Sequence, residues 1–235
     1  MDGEPFYKSP TDMGVNRAGF AITDDEAAQE AAKQEVIRRY FRYRCEYVMG
    51  LTDKETVQRV ELLIKDFNLD LEYRQVVEPA RTAAIKCREN GKGNEGIFCG
   101  AAIDLGNGTI VTGNNSPQFH AASSLILHAI KHLAEIPDKI KLLAPNIVES
   151  VRNLKTKVLN EKTLSLDLLE TLIALSISAT ANPAAQLAME KLEKLQGCEV
   201  HMTHIPTPGD EAGLRRLGVN LTSDPNFSTK DLFIS

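Results

Sequence analysis

The stretch SPQFHAASSLILHAIKH, Ser116 to His132, carries three of the chain's five histidines and three hydroxyl side chains. Histidines move protons or bind metals, and a hydroxyl beside a histidine is the start of a nucleophilic pair. His120 and His128 are therefore candidate general bases, and Ser123 and Ser124 candidate ligand-binding hydroxyls. His128 and His132 share a helix face at the spacing of HExxH, yet Ala129 stands where the metalloprotease general base would be. No GxSxG elbow precedes the serines, so a serine nucleophile has little support. The alternative reading is structural: Leu125, Ile126, Ala129, Ile130 and Leu133 form a core stripe that the histidines flank.

Two further groups could hold a ligand. In YKSPTDMGVNRAG, Tyr7 to Gly19, Lys8, Ser9, Thr11 and Asn16 suit a phosphate or polar substrate, with Asp12 orienting a donor. The same residues also suit an exposed linker. His201 and His204 lie an odd number of residues apart on an expected strand, hence on opposite faces, which leaves one facing solvent near the strand's end. Asp104 and Asp210 read equally well as turn and capping residues.

Composition bounds the chemistry. The 235 residues are 43% hydrophobic and 25% charged, the balance of an ordinary globular chain. A net charge of −5 and a pI near 5.6 give no general reason to expect nucleic acid or an acidic membrane, so an anionic ligand needs a local site. Cys45, Cys87, Cys99 and Cys198 never form C-x-x-C; they read as free thiols of a reducing compartment, and no metal site is expected from them. The first ten residues lack a basic, apolar leader, and LLETLIALSISATA is interrupted by Glu170 and shorter than the roughly 20 residues of a bilayer span. A cytoplasmic protein is expected.

Period and punctuation then place the elements. TDDE at Thr23–Glu26 and TDKE at Thr52–Glu55 fit capping boxes. Val36, Ile37, Tyr40, Phe41 and Tyr47 form one apolar stripe; Val57, Val60, Leu63, Ile64 and Phe67 form a second. A third helix is expected from near Asp70 to Gly91, grouped antiparallel with the first two. CGAAIDLGNGTIVTG reads as a hairpin turning at Asn107-Gly108, and Ser116-Pro117 as the start of a helix. KIKLLA, CEVHMTHI and VNLT read as strands, with helices from Pro145, about Ser165, Pro183 and Gly209 between them. The expected division is a polar segment 1–22, a helical subdomain 23–93 and an α/β subdomain 94–235 with a mixed sheet, antiparallel at the hairpin and parallel elsewhere.

This order resembles the cytidine-deaminase-like three-layer α/β/α fold. That resemblance implies zinc ligands, a His or Cys with a nearby Glu after the hairpin and Pro-Cys-x-x-Cys on a later helix. The chain offers His120 but Ala122 in place of the Glu, and Pro145 to Val148 without a thiolate, so a fold lacking its zinc ligands is expected.

The strings YKSPTDMGVN, KQEVIRRY, GTIVTG, ASSLILHAIKHLA, NPAAQLAMEKL and LGVNLT are, together, similar to the carboxy-terminal half of the domain of unknown function 1846 proteins, a bacterial family of no established activity. The resemblance implies a longer usual form whose amino-terminal half carries a glycine-rich phosphate loop absent from this sequence. Three functions follow as expectations. The chain is part of a nucleotide- or phosphate-ligand-binding enzyme, completing a site shared with a separate amino-terminal half and taking a small polar or phosphorylated ligand. Alternatively it is a non-catalytic homo-oligomerisation module, or a small-molecule enzyme with His120 or His128 as base. No cofactor is expected within this chain, and a homo-oligomer is.

Overall fold

The computed structural model describes residues 25–106 and 108–228. Two compact units divide between Arg74 and Gln75. The first pairs α1 (Asp25–Val48) with α2 (Lys54–Asp66). Ile37, Phe41 and Cys45, one turn apart, are buried, as are Val57 and Val60. Burial runs along a narrower strip than the sequence stripes, since Tyr47, Leu63 and Phe67 stay exposed. Two starts differ from expectation. Asp53, not Thr52, caps α2, accepting from the Thr56 N–H at 2.7 Å. Asp70 caps only a single 3-10 turn, Leu71–Tyr73, because Arg74 after it is extended. Thr23 of the first expected box lies outside the described residues.

In the second unit come α3 (Val77–Glu89), β1 (Gly100–Asp104), β2 (Ile110–Asn114), α4 (Ala121–Leu133), α5 (Pro145–Lys157), α6 (Leu168–Ala179), α7 (Pro183–Met189), β3 (Glu199–Met202), α8 (Pro208–Arg216) and β4 (Asn220–Ser223). Among the described residues the protein is thus a mixed α/β chain of eight α-helices and one four-stranded sheet, ordered β2-β1-β3-β4. β1 is antiparallel to both neighbours, and only β3 and β4 run parallel, which corrects the expectation that antiparallel pairing stops at the hairpin.

Alternation along β1 sends Ala101 and Ile103 to one face and Ala102 to the other. Ala101 and Ile103 join the main core with Leu125 and Leu175; Ala102 meets Val76 and Ala80. Helices therefore cover both faces, and two glycines set their distance. A Cβ on Gly100 would stand 2.2 Å from the Ala80 carbonyl oxygen of α3, and one on Gly113 would stand 2.4 Å from the Leu125 nitrogen of α4. The sequence groups α3 with α1 and α2; the structure instead lays it on the sheet, where Val77, Ala80 and Cys87 are buried. It ends as expected, with Gly91 at φ 61°.

KIKLLA forms no strand. Leu142 and Leu143 are buried in succession rather than alternately, and the carbonyls of Lys141 and Leu142 accept from the Asn182 side chain instead of a ladder partner. Among the described residues no helix is long and apolar enough to cross a membrane; LLETLIALSISATA contains the whole of α6, whose Leu168, Ala174 and Leu175 are wholly buried.

Candidate functional site

The helix expected from Ser116 starts five residues later, and that delay positions His120. The Ser116 hydroxyl accepts from the Phe119 N–H at 3.1 Å. Residues 118–120 then run extended against Leu166: the Leu166 N–H donates to the Gln118 carbonyl and the His120 N–H to the Leu166 carbonyl. His120 thereby becomes the N-cap residue of α4, with extended backbone and its imidazole free to turn away from the helix.

The imidazole meets Asp210. Nδ1 of His120 lies 2.7 Å from Oδ2 of Asp210, whose side chain has no exposed surface, while the His120 side chain keeps 19% of its own. The same carboxylate accepts from the Thr207 hydroxyl at 2.8 Å and, through Oδ1, from the Leu168 N–H at 2.9 Å. Thr207 caps α8 and Leu168 opens α6, so the first turns of α4, α6 and α8 converge on one buried carboxylate, and N-terminal helix dipoles favour its charge. Close approach of α8 to α6 is built into its sequence. A Cβ on Gly209 would stand 1.9 Å from Oδ2 of Asp167, and one on Gly213 would stand 2.7 Å from Leu168. Asp167 itself completes a capping box with Glu170, and Glu170 accepts from the buried Lys155 at 2.8 Å.

Electrostatics follow from this packing. Burial opposes a charged His120, but the hydrogen bond and charge of Asp210 outweigh it and raise the imidazole above its ordinary 6.5. Burial likewise pushes Asp210 up; His120, Thr207 and the Leu168 N–H reverse this and hold it below 3.8. Asp167 is raised by burial, reinforced by Glu170 and Asp210. Cys99, buried nearby, is pushed up to about 12 and is therefore a thiol rather than a nucleophilic thiolate.

An ionised carboxylate only accepts, so Nδ1 of His120 carries the proton and Nε2 is the basic atom of the neutral ring. Among the described residues no hydroxyl or thiol hydrogen-bonds Nε2. The geometry suits general acid–base chemistry on a bound molecule more than a nucleophilic triad.

The other sequence candidates are dispersed. His128 is exposed, its Nδ1–H donating to the Thr112 carbonyl at 2.9 Å. Ser123 is buried and donates to the Leu166 carbonyl. Ser124 and His128 line a cleft of about 520 Å³ beside α4 and α5, together with Lys131, Lys141 and Arg152; Gln118 and Phe119, adjacent to His120, line it too. Lys8, Ser9, Thr11, Asp12 and Asn16 lie outside the described residues. Asp104 serves the hairpin, accepting from the Gly106 N–H. His201 and His204 are both buried, which corrects the expectation of one solvent-facing ring. β3 ends at Met202, so alternation does not extend to His204. Asp210 as partner of His120 was not legible: Thr207-Pro208-Gly209-Asp210 reads as a helix cap. The glycines at 209 and 213, one turn apart on a helix, were the available sign of close packing.

A family model described as "Domain of unknown function DUF1846, C-terminal" matches residues 72–233, and "Domain of unknown function DUF1846, N-terminal" matches residues 1–68. The chain belongs to the DUF1846 family. The match of residues 1–68 to the N-terminal model corrects the assignment of the whole chain to the carboxy-terminal half. Similar curated relatives are UPF0371 proteins of Clostridium botulinum: one from strain Alaska E43 is 49% identical over 230 residues, and one from strain Langeland 47%. Each alignment covers 98% of this chain and 46% of the relative, so the DUF1846 chain described here spans about half the length of those proteins.

Proposed function

We propose that this chain supplies the proton-transfer group of an enzyme acting on a small polar or phosphorylated molecule, within a site completed by the part of the longer relatives that this chain does not span. The observation that carries the reading is the 2.7 Å contact between a partly exposed His120 and a fully buried, ionised Asp210. That pairing fixes the tautomer and raises the basicity of the ring. The cleft beginning at Gln118 and Phe119 supports the ligand class, because Lys131, Lys141 and Arg152 outnumber its single acid, Glu149. Four free thiols among the described residues agree with a reducing, cytoplasmic setting.

The hairpin, the parallel β3–β4 pair and the helices on both faces support a cytidine-deaminase-like layering. The donor set does not fit that fold's zinc. His120 occupies the expected place, but its Nδ1 is engaged by Asp210, Ala122 is wholly buried where a carboxylate would be, and Pro145 opens a helix without cysteine. Among the described residues no three His, Cys, Asp or Glu side chains are grouped to hold a metal.

Turnover of a panel of phosphorylated metabolites by this chain, alone and mixed with the part of a relative that it does not span, tests the reading. Any activity found should vanish in His120→Gln; undiminished turnover by that variant would dispose of the role given to His120.

A further inference from the structure

We infer that the open ends of β3 and β4 hold a second ligand site, built for a small aromatic or heteroaromatic acid. A pocket of about 470 Å³ opens there, within the range that takes mononucleotide-sized ligands. It lies where chains following two parallel strands part, the usual position for ligands of α/β sheets. Thr203 and His204 follow β3, Asp224 and Asn226 follow β4, and α3 forms the wall.

Three features define the occupant. First, the charge on the walls does not cancel. Arg81 spends its guanidinium on Asp224, donating from Nε at 3.1 Å and Nη2 at 2.8 Å. Arg88, exposed on α3, has no carboxylate within 4.0 Å among the described residues and is the cation left to meet an acid. Second, apolar side chains stand beside that cation: Ile85, Ile97 and Phe98 line the pocket, and the Arg88 guanidinium lies 5.7 Å from the Phe98 ring centroid. A guanidinium beside an aromatic face suits a ring that stacks and an acid group that takes a forked hydrogen bond.

Third, His204 is 95% buried, lines the pocket, and its Nδ1 has no hydrogen-bond partner among the described residues. Buried polar atoms are almost always paired, and an unpaired one in a residue that lines a pocket is available to a polar group that the pocket admits. Burial drives His204 down to about 4, so near neutral pH it meets the ligand as a neutral hydrogen-bonding ring and leaves the charge to Arg88. This site does not depend on proton transfer by His120; the two fail separately.

Titration of the 235-residue chain with AMP and with 4-hydroxybenzoate, followed by side-chain NMR of ring-labelled histidine, tests the assignment and separates a phosphate from a carboxylate. At least one acid should bind more tightly than about 1 mM and shift the His204 resonances. Arg88→Ala should weaken that binding by about tenfold or more, while Lys86→Ala, exposed on the same helix but outside the pocket, should leave it unchanged. Because Arg88 is exposed, its loss leaves the fold intact. Binding of neither acid, binding without movement of His204, or equal binding by Arg88→Ala would overturn the assignment.

Discussion

Two histidine–aspartate pairs stand in the same unit and differ in what surrounds them. At the start of α4, Asp210 is fully buried, answered by a backbone N–H and a hydroxyl, and its histidine is partly open to solvent. Beyond β4, Asp224 faces a cation: Arg81 grips it with two hydrogen bonds, and His201, with no exposed surface, lies 3.5 Å away while its Nδ1 meets the Thr222 hydroxyl at 2.9 Å. The first arrangement leaves the carboxylate's charge for the imidazole and exposes the imidazole to a substrate. The second neutralises the carboxylate with arginine and seals the imidazole between strands. Residue types alone do not separate a proton-transfer pair from a structural one; the third partner and the exposure do.

The contrast breaks most readily at His120. His120→Gln should lower any turnover by about 10²–10⁴-fold in a chain that stays folded but is less stable for the loss of Asp210's partner; a comparable loss of turnover in Asp224→Asn would erase the distinction. Next in size is an acid effect. A folded-state value of about 4 for His204 lies below the ordinary 6.5, so the unfolded chain takes up protons first; the neutral ring's stability is complete above pH 6.5 and is lost as pH falls toward 4. Urea titrations across that interval should show a fall of about 3 kcal/mol, smaller by most of that amount in His204→Asn.

Asp224→Asn should cost about 2 kcal/mol at neutral pH, read from the shift of the urea midpoint. Its carboxyl sits near 2 in the folded chain against 3.8 ordinarily, because Arg81 and His201 overcome burial, so this stabilisation is present above pH 3.8 and lost as pH falls through 2. Smallest is Thr207→Ala. It removes the cap of α8 and one donor to Asp210, at about 1 kcal/mol. With one donor fewer sharing the Asp210 charge, His120 should then titrate higher than in the parent chain, a change that the loss of a cap alone would not produce.

Much of the fold was legible wherever a local signal decides it. The hairpin, β3, β4 and the helices from Pro145 and Pro183 follow from alternation, caps and proline placement, and the helix expected from Gly209 opens one residue earlier, at Pro208. The errors share a cause: partners distant in sequence. KIKLLA is apolar enough for a strand, but Asn182, forty residues away, takes its carbonyls. Ser116-Pro117 has the chemistry of a helix start, yet pairing with Leu166 holds the next residues extended. For the site, His120 was visible as a residue type. Asp210 was not, since its role depends on α6 and α8 meeting through Gly209 and Gly213.

The central claim is that Asp210 holds His120 as a raised, Nδ1-protonated base. Long-range ¹H–¹⁵N correlation spectra of the imidazoles, recorded through pH 5–9 on the chain and on Asp210→Asn, test it directly. The account predicts an Nδ1–H tautomer for His120 titrating above 6.5, and a lower value in the variant. An Nε2–H tautomer, or a midpoint at or below 6.5 in the parent chain, would contradict it.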